Sequence, residues 1–361
     1  MTPEKENLKK IFEKVLKKDI VKIEELKFED KEGITGKVEQ SSLNLHKYGI
    51  VFKEGLSKEV LVKSKSRNII KNGIRLLNHD NDIYLLYLLI RYHKVLSFDK
   101  NYIRELKFYE NIDIELKKYT IACYGCYKNL LQSKYLIFMR EIKDSFEFDK
   151  SYIYKTLDVI IKFHKQYYGK KECCDIYRLN YYTNHDYKRS RRLLSYIFHK
   201  FDKENKTYFS SKGLEKIEDF LKNIHIYHKN LPKHLSLTHN DFTARNIFFR
   251  KEAVLIYDWE LACYQNPEHD LIEFLIFELH KFADNEVREL IAYYKNNLLS
   301  ALNINIQKAD YQRILEFNTL EYIVNKLSVY RLADVSLKFA FIKQMCKNAA
   351  RMLLIIEEEF E

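Results

Sequence analysis

The chain is poor in the residues that interrupt regular backbone: its 361 residues include eight glycines, three prolines and a single tryptophan. That scarcity excludes a Gly- or Pro-rich linker, a collagen-like repeat and a low-complexity tail, and it leads us to expect long regular elements. Long apolar runs are missing as well. The longest, "IYLLYLLI" from Ile83 to Ile90, stops at Arg91, far short of the roughly 20 residues that a bilayer demands. No membrane span is expected. The opening "MTPEKENLKKIFEKVLKKD" is charged throughout and lacks an apolar signal core, so the chain reads as cytoplasmic with reduced cysteines. Cys263 and Cys346 then serve as small core hydrophobes, and His164 and His280, set in apolar helical patterns, as core histidines. "CYGC" (Cys123 to Cys126) has zinc-like spacing but reads as a hairpin turn, and the adjacent Cys173 and Cys174 make a poor second half of a metal site.

A balance of one sign is present: Lys and Arg exceed Asp and Glu by a formal +11. Basic and acidic residues are nevertheless interleaved over most of the chain, and only "YKRSRRLL" (Tyr187 to Leu194) forms a tight cluster. We therefore read a solvated face in preference to a nucleic-acid site. The length suits two lobes. An amphipathic helix opens the chain, with Leu8, Ile11, Phe12, Val15 and Leu16 at helical spacing. Extended segments follow, "IVKIEELKFED", "GITGKVEQSS", "YGIVFKEG" and "KEVLVKSKS", turned at Gly33, Gly36, Gly49 and Gly55. Helices are expected over Asp82–Leu96 and Tyr102–Ile112, then a strand pair at "TIACYGCYKN" and "KYLIFMREI". From Tyr152 onward the period is helical, broken by "NIFFR" and "VLIYDWE". The lobes divide at Ile142, giving 1–142 and 143–361, with a ligand cleft between them.

The chemistry concentrates in "THNDFTARNIFFRKEAVLIYDWE" (Thr238 to Glu260). Asp241 and Asn246 precede an apolar strand, Asp258 ends the next, and a tight hairpin between the strands brings the three side chains to one rim. Hard oxygen donors in that number suit Mg²⁺ held with water and phosphate, so Asn246 and Asp258 are candidate metal ligands. Asp241, not needed as a ligand, can accept the proton of a hydroxyl attacking a γ-phosphate. Phosphoryl transfer also needs a cation across the triphosphate. The strand "VLVKSKS" offers Lys63, with Lys65 on the same face as a rival, and Glu105 in "NYIRELKFYENI" can orient it.

These residues resemble the aminoglycoside phosphotransferase and choline kinase superfamily. "HNDFTARN" is similar to its His-x-Asp-x4-Asn catalytic motif, "YDWE" stands where protein kinases carry Asp-Phe-Gly, and "IKFHKQYY" resembles the helix ahead of the catalytic loop. The resemblance runs from about Ile23 to Phe274. It implies an α+β, bilobal protein-kinase-like fold, with a small antiparallel β lobe that binds nucleotide and a larger helical lobe for catalysis and substrate. It also implies ATP or GTP with Mg²⁺, Asp241 as base, Asn246 and Asp258 on the metal, and Lys63 on phosphate with Glu105 as its partner. The hinge strand "YLIFMREI" would contact adenine through its backbone at Met139 and Ile142, although Arg140 is unusual there. His239 would pack the loop and Asp270 would brace it. A long stretch separates Lys63 from Glu105, and "KEGITGK" is a thin version of a Gly-rich loop. The acceptor would be an alcohol on a small molecule such as an aminoglycoside or a choline-like amino alcohol, with specificity decided between Cys173 and His234. Phosphorylation of Ser or Thr in a peptide, with "YKRSRR" meeting an acidic leader, and a nucleotide-binding pseudokinase scaffold are the competing readings. The acidic end "EEEFE" (Glu357 to Glu361) reads as a frayed helix terminus.

Overall fold

The computed structural model describes residues 3–26, 44–65, 68–97, 99–131, 134–141, 149–250 and 253–358. "GITGKVEQSS", Gly33, Gly36 and Ile142 lie outside the described residues. Five strands, β1 (Ile20–Leu26), β2 (Asn44–Phe52), β3 (Ser57–Lys65), β4 (Cys123–Asn129) and β5 (Lys134–Met139), form one antiparallel sheet in the order β1-β2-β3-β5-β4. Helix α1 (Pro3–Leu16) covers one face. Period-2 alternation sends Val60 and Val62 of β3 to that face, into a small core with Phe12, Ile50, Leu136 and Phe138. The same alternation turns Leu61, Lys63 and Lys65 to the other face.

The approach of α1 is close. A Cβ at Gly125 would stand 2.8 Å from Val15 Cγ1, and φ there is +154°, so β4 needs glycine at that point. The strand also carries a register shift between Cys123 and Gly125. "CYGC" is thus a bulged strand segment and not the hairpin turn expected; glycine here permits close packing, a use that local sequence cannot distinguish from a turn.

Two helices stand between β3 and the helix that carries Glu105. The first, α2 (Asn68–Leu77), was not anticipated. The second, α3 (Ile83–Tyr92), continues into a 3₁₀ turn, His93–Leu96, close to the helix expected there. Asp82 caps α3 by accepting from the Leu85 N–H, and the same carboxylate takes the Tyr196 hydroxyl and the Lys200 ammonium, each at 2.8 Å. This ties the helices between β3 and Glu105 to the second lobe. Helix α4 (Asn101–Asn111) lies against β4 and β5. Its Arg104 is fully buried and donates to four backbone carbonyls, of Ser97, Asp99, Arg178 and Glu260. A buried guanidinium without a carboxylate is tolerable only with such a shell.

The second lobe contains α5 (Ile153–Tyr167), α6 (Cys173–Ile176), α7 (Asn184–His199), α8 (Asp202–Tyr208), α9 (Ser211–Lys229), α10 (Glu268–Glu278), α11 (Asp284–Leu302), α12 (Lys308–Tyr322), α13 (Ser328–Leu337) and α14 (Ile342–Glu358), with a π-helical turn at Ile323–Leu327. Two small pairs interrupt it: β6 (Ser236–Thr238) with β9 (Cys263–Gln265), and β7 (Ile247–Arg250) with β8 (Ala253–Ile256). The core is continuous from Leu77 through Phe108 to Ile356. His164, Cys263 and Cys346 are buried as expected, whereas His280 is exposed, on the 3₁₀ turn that ends α10. Glu357 pairs with Lys216 at 3.2 Å and Glu358 with Arg288 at 2.6 Å, so the described part of the acidic end is a tethered helix and not a frayed one. No helix among the described residues is long and apolar enough to cross a membrane.

Candidate active site

Strand β3 delivers both lysines to one carboxylate. Lys63 Nζ lies 2.8 Å from Glu105 Oε2 and 2.7 Å from Asp258 Oδ1. Lys65 Nζ lies 3.0 Å from the same Glu105 oxygen and pairs with Glu260. The carboxylates of Glu105, Asp258 and Glu260 present oxygens within 4.8 Å of one another. Two ammonium groups against three carboxylates leave a local excess of hard oxygen donors, an environment that fits a divalent cation such as Mg²⁺. Burial opposes charge on Asp258, but the Lys63 and Lys65 ammonium groups outweigh it and hold the carboxyl down at about 2. Burial likewise opposes charge on Lys63, and Asp258 and Glu105 outweigh it, raising the ammonium above its ordinary value. Lys65 is shifted the other way, lowered by burial and by its neighbour Lys63. It is the deeper of the two, whereas Lys63 reaches the cleft.

The loop from His239 to Phe242 is held from below by two acids one helical turn apart on α10. Asp270 accepts from the backbone N–H of His239 at 2.7 Å and of Asn240 at 2.9 Å. Both can point at one carboxylate because Asn240 takes a left-handed backbone, φ 57°, a conformation that asparagine tolerates better than most residues. His164 fixes the other side of Asp270: Nε2 lies 3.0 Å from Oδ2, and Nδ1 meets the Tyr294 hydroxyl at 2.7 Å. The bracing expected of Asp270 is therefore visible in its contacts. Glu273 was missed. It accepts from Phe242 N–H at 2.7 Å and takes Lys326 at 2.6 Å, and Lys326 also donates to the Asn240 carbonyl. The i, i+3 spacing of the acids in "HDLIEF" was the available signal.

Asp241 sits on this platform. Its Oδ2 accepts from Asn246 Nδ2 at 2.7 Å and its Oδ1 from the Tyr330 hydroxyl at 3.1 Å. Asn246 Nδ2 also bonds the Asp241 carbonyl at 2.8 Å. Both bonds use the amide nitrogen, which leaves the amide oxygen for a cation. The β7–β8 hairpin pairs Ile247 with Ile256, bringing Asn246 beside the strand that leads to Asp258. Asp258 itself has φ 65°, a strained state for aspartate of the kind found at functional sites. Trp259 anchors the turn: it stacks on Phe108 of α4 with centroids 4.1 Å apart and meets Phe163 at 4.8 Å and His239 edge-on at 4.6 Å. His239 donates through Nε2 to the Tyr257 carbonyl at 2.8 Å. It is a packing residue, as expected.

Of the residues singled out in the sequence, Lys63, Lys65, Glu105 and Asp258 meet directly, and Asp241 meets Asn246. Met139 ends β5, buried and paired with Leu61, two positions beyond the partner of Lys63. Asp241 takes its side-chain contacts from Asn246 and from Tyr330 of α13, outside the Cys173–His234 segment expected to set specificity. Glu260, Tyr330 and Lys326 complete the set that sequence reasoning did not find.

Residues 175–314 match the model of the phosphotransferase enzyme family, the superfamily that the Asp241 and Asp258 motifs resemble. No curated protein matches the chain in sequence. Among solved structures, the AMP-bound complex of spectinomycin phosphotransferase APH(9)-Ia shares the protein-kinase-like fold at a TM-score of 0.50 and 14% identity, over 97% of this chain and 98% of that one. Choline kinase LicA from Streptococcus pneumoniae aligns over 99% of this chain and 100% of its own at 11% identity and a TM-score of 0.46. The amicoumacin kinase hAmiN aligns over 99% and 96% at 12% identity and a TM-score of 0.48.

Proposed function

We propose that this chain, a phosphotransferase enzyme by its family match over residues 175–314, moves the γ-phosphate of ATP or GTP to a hydroxyl of a small molecule. The observation that supports this reading best is the junction of Lys63 and Glu105 from the sheet lobe with Asp258 from the helical lobe, beside the Asp241–Asn246 pair. The Asn246 amide oxygen and the Asp258 carboxylate would hold Mg²⁺, which would offset the negative charge that develops on the phosphate during transfer. Lys63 donates to the phosphates from across the cleft while Glu105 keeps its ammonium in place. Asp241 Oδ1, where the Tyr330 hydroxyl now donates, accepts the proton of the attacking hydroxyl, while Asn246 holds Oδ2. The main chain at Met139, the end of β5, receives the adenine. On this reading nucleotide binding belongs to residues 1–142 and acceptor binding to 143–361, in a protein of the cytoplasm.

Transfer is measured with Mg²⁺ and ATP or GTP against a panel of small alcohols, with Asp241→Ala alongside. Transfer to at least one acceptor, reduced by about 10²–10⁴ in the variant with nucleotide affinity kept, is the expected result. Wild-type turnover in Asp241→Ala would remove the proposed base.

A further inference from the structure

Beside Asp241, on the side turned away from Asn246, an arrangement stands that phosphate transfer as such does not use. The Arg245 side chain is exposed, yet its guanidinium is seated over two rings, 4.9 Å from the centroid of Phe277 and 4.8 Å from that of Phe341. Those rings lie 5.7 Å apart, and Tyr330 packs edge-on against them at 6.0 Å and 6.1 Å. Phe339 stacks on Phe341 at 5.0 Å. The three rings nearest the cation come from the end of α10, from α13 and from the residue before α14. Tyr330 also donates to Asp241 Oδ1, which sets this box beside the proposed base. Among the described residues no carboxylate forms an ion pair with Arg245, although Asp241 acts on it through space.

An aromatic box next to a phosphotransferase base would ordinarily suit an ammonium carried by the acceptor. Here the protein fills the box with its own cation. A guanidinium covered on its face by rings directs its N–H fork edgewise, here partly towards the Tyr330 hydroxyl, and the rest of that fork suits a carboxylate or phosphate. A cationic acceptor would instead meet a like charge held rigidly in its path. We infer that the acceptor alcohol carries an anionic group, a carboxylate or a phosphate, which Arg245 binds while the hydroxyl takes the place of Tyr330 at Asp241 Oδ1. This rests on the phosphotransferase reading and names its class of acceptor.

The test compares three molecules that share a carbon skeleton and differ in the charge at one end: D-glycerate, glycerol and 3-aminopropane-1,2-diol. Their binding to the full chain is titrated with saturating Mg²⁺ and a non-hydrolysable ATP analogue, and glycerol 3-phosphate is run in parallel to separate a carboxylate from a phosphate. Glycerate or glycerol 3-phosphate is expected to bind at least tenfold more tightly than glycerol, with the amine weakest. Arg245→Gln should erase that preference and Arg245→Lys should restore part of it, which distinguishes lost charge from disturbed packing. Equal binding of the amine and the two anions would overturn the inference, as would an anion preference unchanged in Arg245→Gln. Binding of neither anion at about 0.1 M, a hundredfold above 1 mM, would overturn it too. Failure of wild type to bind the Mg²⁺-nucleotide would count against the phosphotransferase reading, and the charge comparison could still be made.

Discussion

Lys63 of the five-stranded sheet and Asp258 of the helical lobe meet at 2.7 Å, 195 positions apart in the chain. A second lysine, Lys65, shares the Glu105 carboxylate with Lys63 but turns to Glu260. The two are neighbours on one strand face with different surroundings, and the difference separates their variants. Lys63→Met should lower transfer by about 10²–10³, the loss typical of one donor to developing charge, with a smaller fall in melting temperature than Lys65→Met. Lys65→Met should mainly shift stability. Nucleotide turnover and thermal melts on both proteins decide between the lysines; the reverse pattern would assign the phosphate to Lys65.

Glu105 neutralises both ammonium groups from the interior. Glu105→Gln leaves two cations facing each other with one partner fewer. Removing one member of a buried ion pair costs about 3–5 kcal/mol, so this variant should lose more stability than either lysine variant. Denaturant unfolding of the three proteins measures the order.

Asp270 receives two successive loop N–H groups on two oxygens. Asp270→Asn keeps the size but offers one acceptor oxygen, leaving a buried N–H unpaired at a cost of about 1–3 kcal/mol. The expected result is reduced stability and a larger fall in kcat than in nucleotide affinity, because Asp241 stands on that loop. Steady-state kinetics with calorimetric nucleotide binding would expose a merely structural role as equal losses in both.

His228 packs against Tyr187 and Phe317 and bonds Asn184. Burial lowers its pKa from 6.5 to about 4. The unfolded chain therefore binds the proton first as pH falls. Stability from this site is complete above about 6.5 and declines as pH drops towards 4, with a slope of up to about 1.4 kcal/mol per pH unit. Unfolding free energies between these limits should show the slope in wild type and a flatter one in His228→Gln.

The sequence by itself determined the order of the lobes, the β7–β8 hairpin and the positions of Asp241, Asn246 and Asp258 about it, because short-range spacing and period-2 alternation fix what neighbours in the chain can present. It also determined that Lys63 and Lys65 share a face. It did not distinguish their partners, since Glu260 reaches Lys65 only through the fold. The tight use of Gly125, the platform of Glu273 and Lys326 under the loop, and the ring box around Arg245 were decided by the tertiary structure. Each depends on side chains distant in sequence meeting at distances set by packing, and no local pattern encodes which of 28 tyrosines will stand beside Asp241.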